Sequence, residues 1–171
     1  MQCRVIQGDI ADQAADALVN AAGTSLRMGS GVAGALRRRG GDALAEAAVE
    51  AGPVALGEVA VTDAYGLDAE YVIHAAAMPH DGDGQATEAS IHDATRNTLE
   101  RADKLGCTSV VVPAVGCGVA GFDLAEGARI ICETIASFEP TTLTDVQLIG
   151  YTTEEYETIR SVAQDVGVFE P

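Results

Sequence analysis

The stretch Ser109-Val110-Val111-Val112-Pro113-Ala114-Val115-Gly116-Cys117-Gly118-Val119-Ala120-Gly121-Phe122-Asp123-Leu124-Ala125-Glu126 decides the fold. It opens with a β-branched run, the signature of a strand covered on both faces. Three glycines follow, so the backbone there can take positive φ and come close to a ligand. Asp123 and Glu126 stand at capping-box spacing and open a helix that runs to about Ser137. Strand, glycine loop and helix in succession make one unit of an α/β protein.

The same rhythm extends in both directions. Val5-Ile6 is the heart of a first strand ended by Gly8-Asp9, and Ala17-Leu18-Val19-Asn20 is a second with a polar stop. Gly29-Ser30-Gly31 precedes a helix over about 32–39; Gly40-Gly41 ends it, and Asp42 caps another to about Glu50. Val59–Thr62 and Tyr71–His74 are the third and fourth strands, and a long helix covers about 86–105. It stops at Gly106 with Lys104 in its last turn, as the helix dipole prefers. Val146–Tyr151 is the last strand, and Thr153-Glu154-Glu155-Tyr156 opens the last helix. Strands alternating with helices predict a sheet covered on both faces, with ligands collecting beyond the carboxyl ends of the strands.

Composition bounds the rest. A chain of 171 residues with 47% hydrophobic residues makes one domain with a real core, spanning 1–171. No apolar run approaches the ~18 residues of a membrane span, and the first residues read as a strand rather than a signal peptide, so a cytoplasmic location is expected, with a monomer as the default. The four cysteines form no CxxC pair, and no histidine stands at ligand spacing from them; neither a metal nor a cofactor is expected. There are 26 acidic and 10 basic residues, a formal net charge of -16, and Lys104 is the only lysine. That balance argues against general nucleic-acid binding. It suits concentrated salt, where the screening length falls to ~3 Å at 1 M, and a halophilic source is expected.

Two loops carry the chemistry: Gly29-Ser30-Gly31-Val32-Ala33-Gly34 and Gly116-Cys117-Gly118-Val119-Ala120-Gly121. Each lies between a strand and a helix, where free N–H groups form an anion site. Because Asp123 occupies the second helix's cap, an anion there meets loop N–H groups of Gly118 to Phe122 instead. Neither loop is a Walker motif, and neither is a dinucleotide fingerprint in its usual place after the first strand. The pair favours a diphosphate held between them.

Several motifs in register resemble the macro domain family: Gly8-Asp9-Ile10, Leu18-Val19-Asn20-Ala21-Ala22, Gly31-Val32-Ala33-Gly34-Ala35, Gly57–Thr62, Tyr71–Ala75 and Pro113–Phe122. The resemblance covers nearly the whole chain. It implies a three-layer α/β/α sandwich with a mixed central sheet and a cleft for ADP-ribose, free or on a protein. By position, Asp9 would accept from the adenine amino group, with Ile10 flanking the ring and Tyr151 packing on it. Asn20, beside Ala22, would hold the distal ribose hydroxyls. Gly31, Val32, Gly116, Cys117, Gly118, Val119, Ala120 and Gly121 would line the diphosphate, and Phe122 would pack near the distal ribose. His74 is expected to be structural; Arg37-Arg38-Arg39 could reach phosphate.

Family members divide into readers of ADP-ribose and hydrolases that remove it, some also processing ADP-ribose-1''-phosphate or O-acetyl-ADP-ribose. The hydrolase pattern commonly has an asparagine where this chain has Gly23 and an aspartate where it has Ala33. Hydrolysis is still expected through Asn20 and a water held at Gly31, with the substrate's own phosphate as base; a reader without chemistry is the alternative. Cys117 is a minor rival nucleophile.

Overall fold

The computed structural model describes residues 1–79, 84–118, 121–167 and 169. Six strands and five α-helices follow one another: β1 (Gln2–Gln7), β2 (Ala17–Gly23), α1 (Gly31–Gly40), α2 (Asp42–Ala51), β3 (Val59–Asp63), β4 (Tyr71–Met78), α3 (Glu88–Lys104), β5 (Ser109–Pro113), α4 (Leu124–Ser137), β6 (Asp145–Gly150) and α5 (Thr153–Val166). The sheet order is β1-β6-β5-β2-β4-β3. The first five strands run parallel and β3 pairs antiparallel with β4, so the sheet is mixed.

Side-chain alternation along the strands divides the interior in two. Val19, Ile73, Val110, Val112, Val146 and Leu148 face one cluster, with Ile91 and Leu99 of α3, Ile131 and Ile135 of α4 and Ile159 of α5. Leu18, Val72, Val111 and Ile149 face the other, with Leu36 of α1 and Leu44 of α2. The result is the three-layer α/β/α sandwich that the sequence predicts. Each of these side chains is buried, worth roughly 1.5–3 kcal/mol apiece against exposure.

Two features differ from the sequence reading. A single 3-10 turn over Ile10–Asp12 follows β1, with Asp9 as its cap. Strand β4 continues through Ala75-Ala76-Ala77 to Met78 because those small residues are buried between layers, whatever their modest strand propensity. Helix ends agree closely, except that Gly41 and not Asp42 is the N-cap of α2; the Asp42 carboxylate pairs with Arg37 and caps nothing. Thr87 and Ser90 close a reciprocal capping box on α3, as Thr152 and Glu155 do on α5.

Candidate ligand-binding cavity

A cavity of about 740 Å³ opens beyond the carboxyl ends of the five parallel strands. This is where an open α/β sheet places its ligand. Its walls come from Gly8–Ile10 after β1, the end of β2, the start of α1, the segment after β5, and Tyr151 and Glu155 after β6.

The first glycine loop feeds α1. Ser30 occupies the N-cap position with extended backbone, but its side chain caps nothing, and no acidic residue stands in the first turn. The first helical bond among these residues is Gly34 N–H to Ser30 O, at 3.2 Å. The leading N–H groups, on Gly31, Val32 and Ala33, therefore stay unsatisfied within the helix, as they must at any helix start. All three residues line the cavity. The partial positive charge of α1 thus faces the cavity without a local counter-charge.

The second loop solves the problem differently. Asp123 caps α4, its carboxylate accepting from Glu126 N–H at 3.0 Å. Within the loop, Cys117 N–H donates to Ala114 O and Gly121 N–H to Gly118 O. Gly116, Gly118 and Gly121 have φ of 79°, 70° and 72°. A Cβ on Gly116 would stand 2.6 Å from Ile91 and 3.0 Å from Ala86, so the loop lies directly on α3. Gly116, Cys117 and Gly118 line the cavity; Val119 and Ala120 lie outside the described residues. Gly121 is exposed and is not part of the lining.

At the other end, Asp9 is half-buried. One of its carboxylate oxygens accepts from Ala11 N–H at 2.9 Å; the second has no partner among the described residues. Ile10 is buried beside it. Tyr151 is 68% exposed and lines the cavity, so it is not a core tyrosine. Glu155 accepts from Tyr151 N–H at 2.8 Å and Thr152 N–H at 3.3 Å, fixing the turn that presents that ring.

Besides Gly121, two expected site residues lie off the wall. Asn20 is fully buried and donates from Nδ2 to His74 Nδ1 at 3.0 Å. His74 Nε2 in turn stands 3.0 Å from Thr62 Oγ1, whose proton goes to Asp63 O. With that proton engaged, Thr62 must accept from Nε2–H, which makes His74 the Nε2–H tautomer and Nδ1 the acceptor. Burial holds the imidazole down at about 4, so it is neutral at ordinary pH. Asn20 therefore braces β2 against β4 instead of reaching the cavity, and its expected ribose contact and catalytic part are corrected accordingly. Its neighbour Ala22, by contrast, lines the cavity. Phe122 packs on the α3–α4 side near Gly127 and is also absent from the lining.

Cys117 Sγ lies against Gly127, close enough that a Cβ there would collide with it. Burial, reinforced by Asp123, pushes its thiol up to about 11. A thiol so raised is not a nucleophile at neutral pH. Gly23 and Ala33 both line the cavity, and neither brings a polar side chain. Among the described residues no cluster of His, Cys, Asp and Glu could hold a metal, and no helix is long and apolar enough to cross a membrane.

Sequence reasoning missed Arg27, Pro79 and Glu155 in the lining, and singled out Arg38 only as one of three adjacent arginines. Of these only Glu155 had a local signal, the Thr152-to-Glu155 capping spacing.

Comparison with known proteins agrees with this geometry. The model of the Macro domain family matches residues 19–131. A protein of Saccharolobus solfataricus is 36% identical over 170 residues, covering 97% of this chain and 94% of its own. A macro domain-containing protein of Streptomyces coelicolor is 38% identical over 159 residues, covering 90% and 93%. The chain spans only 39% of a longer Mycobacterium tuberculosis protein with which it is 40% identical over 143 residues. Among solved structures, a mutant Oceanobacillus iheyensis macrodomain with ADPR superimposes with a TM-score of 0.86 at 26% identity, covering 95% of this chain and 91% of that one. A Trypanosoma brucei macrodomain in complex with ADP-ribose gives 0.84 at 27%, covering 94% and 68%. With the family model spanning most of the chain and relatives matching nearly end to end, this protein belongs to the macro domain family.

Proposed function

We propose that this chain binds ADP-ribose, free or attached to a protein, with the diphosphate held between the start of α1 and the Gly116–Gly118 segment. The observation that carries this reading is the uncapped start of α1, facing the second glycine loop across one cavity. Charge on a diphosphate suits that helix end. Adenine falls at Asp9, Ile10 and Tyr151: the free carboxylate oxygen of Asp9 accepts from the exocyclic amine, and Ile10 and Tyr151 offer apolar surface on either side. The volume of about 740 Å³ is in the range of small-molecule sites.

Hydrolysis of ADP-ribose from mono-ADP-ribosylated protein, or of ADP-ribose-1''-phosphate or O-acetyl-ADP-ribose, is the second reading. It is favoured by the lining position of Gly31 and Gly118, which bring no side chain to the place an attacking water would take. The described lining near Gly23 and Ala33 supplies no carboxylate base, so such turnover relies on the substrate's own phosphate and forgoes roughly 10²–10⁴-fold of general-base assistance. Binding is therefore the primary role, exercised by a cytoplasmic monomer.

Titration calorimetry with ADP-ribose tests it. Micromolar binding that weakens strongly in Asp9→Ala is expected; no heat at millimolar ligand overturns the assignment. On an ADP-ribosylated protein, Gly23→Asn with Ala33→Asp should raise turnover above the wild type. Wild-type turnover as fast as the double variant's would return hydrolysis to first place.

A further inference from the structure

The arginines at the end of α1 do not share one fate. Arg37 reaches Asp42 at 3.2 Å and Arg39 reaches Asp12 at 2.8 Å. Arg38, between them, has no acid partner among the described residues and lines the cavity. Its Nη1 lies 3.4 Å from where a Cβ on Gly34 would stand, so the side chain folds back along the helix. Neither lining carboxylate, Asp9 or Glu155, forms an ion pair with it among the described residues. In a chain with a formal net charge of -16, an unpaired cation turned into a cavity is a directed feature.

Its position along the cavity is also defined. Helix α1 runs from the diphosphate end toward the 3-10 turn that holds Ile10, where the Arg39–Asp12 pair fastens it. Val32, Ala35 and Arg38, one helical turn apart, line the wall in that direction. The ligand segment passing this wall is the adenosine half, between diphosphate and base.

We propose that Arg38 recognises an anionic substituent on the adenosine ribose, so that the preferred ligand carries phosphate beyond the ADP-ribose diphosphate. This rests on the ADP-ribose reading of the cavity. Two chemistries supply such a group at the 2'-hydroxyl: a phosphate monoester, or the diphosphate of a second ADP-ribose unit linked there. Guanidinium pairs well with either, in a planar bidentate geometry.

The test is calorimetry at 0.15 M KCl, a concentration of roughly physiological ionic strength, with four ligands: ADP-ribose, 2'-phospho-ADP-ribose, a 2'-linked ADP-ribose dimer, and ADP-ribose-1''-phosphate. At least about fivefold tighter binding than ADP-ribose is expected for the 2'-phosphate, the dimer or both, a modest gain because the pair is partly exposed. Which of the two gains identifies the source. The gain should vanish in Arg38→Gln and persist in Arg27→Gln, since Arg27 also lacks an acid partner among the described residues but sits on the loop ahead of α1. Equal affinity for ADP-ribose and both 2'-extended ligands overturns the proposal. So does a gain that survives Arg38→Gln, or an Arg38-dependent gain for the 1''-phosphate, which would put Arg38 at the other end of the ligand. Failure of ADP-ribose itself to bind would instead remove the underlying reading of the cavity.

Discussion

Two hexapeptides in this chain differ at one position, Gly29-Ser30-Gly31-Val32-Ala33-Gly34 and Gly116-Cys117-Gly118-Val119-Ala120-Gly121, yet they fold differently. Their middle glycines agree, with φ of 62° at Gly31 and 70° at Gly118. Their outer glycines do not. Gly34 is inside α1, while Gly121 has a φ of 72° outside any helix; Gly29 is exposed, while Gly116 is buried on α3 with positive φ. The first copy turns straight into a helix and leaves that helix's N–H groups to the cavity. The second defers its helix to Leu124 and hands the helix start to Asp123. The same glycine pattern thus runs straight into an uncapped helix once and ends ahead of a helix capped by Asp123 once.

Substitutions at matching positions should separate the two copies. The largest effect is expected at Gly116→Ala, where positive φ and the clash with Ile91 combine to cost roughly 3 kcal/mol, read as a lower urea midpoint. Stability unchanged by it would mean that the loop is not seated on α3. At the sixth position, Gly34 against Gly121, the copies should diverge in sign. Gly121→Ala strains a left-handed residue and costs about 1–2 kcal/mol. Gly34→Ala sits in a helix with contacts no closer than 3.4 Å and should be neutral or stabilising by up to about 1 kcal/mol.

Below both loops, the pair Asn20–His74 locks β2 to β4, and this should make stability acid-sensitive. The folded imidazole is held at about 4, against an ordinary value of 6.5. Its contribution is therefore complete above 6.5 and is lost as pH falls toward 4, because only the unfolded chain takes up the proton in that window. The slope should approach 1.4 kcal/mol per pH unit, or about 2 kcal/mol between pH 6.5 and pH 5. Equal urea midpoints at pH 6.5 and 5 would contradict it.

The helix starts give the sharpest functional contrast. Ser30→Asp would cap α1 and put a negative charge at its N-terminus. ADP-ribose affinity should fall about thirtyfold, or ~2 kcal/mol, without loss of stability. Asp123→Ala removes the cap of α4 and should do the reverse, costing about 1 kcal/mol of stability with little change in affinity. A similar affinity loss in both would erase the distinction between the copies. The smallest and broadest effect concerns salt: with a net charge of -16, unfolding midpoints should rise from low to molar KCl, and a flat response would remove the halophilic expectation.

The fold was legible in the sequence because its signals are local. Val110–Val112 could only be a covered strand, and Asp123 at capping distance from Glu126 could only start a helix there. What was not legible depended on partners far away in the chain. Asn20 reads as a polar stop at a strand end, and nothing nearby reveals that register places it opposite His74. Phe122 closes a glycine motif, but its contacts belong to α4. The three adjacent arginines look alike in sequence; Asp12 and Asp42 neutralise two and leave Arg38 for the cavity. The 3-10 turn at Ile10 is too short for any periodicity to mark it.

The central claim is that the N–H groups at the start of α1 and in the second glycine loop hold a diphosphate together. It is tested most directly by following backbone amide resonances during titration with ADP-ribose. The amides of Gly31, Val32, Ala33 and Gly118 should move most, saturating together at one affinity. Saturable binding that leaves those four amides unmoved, while others shift, would contradict it.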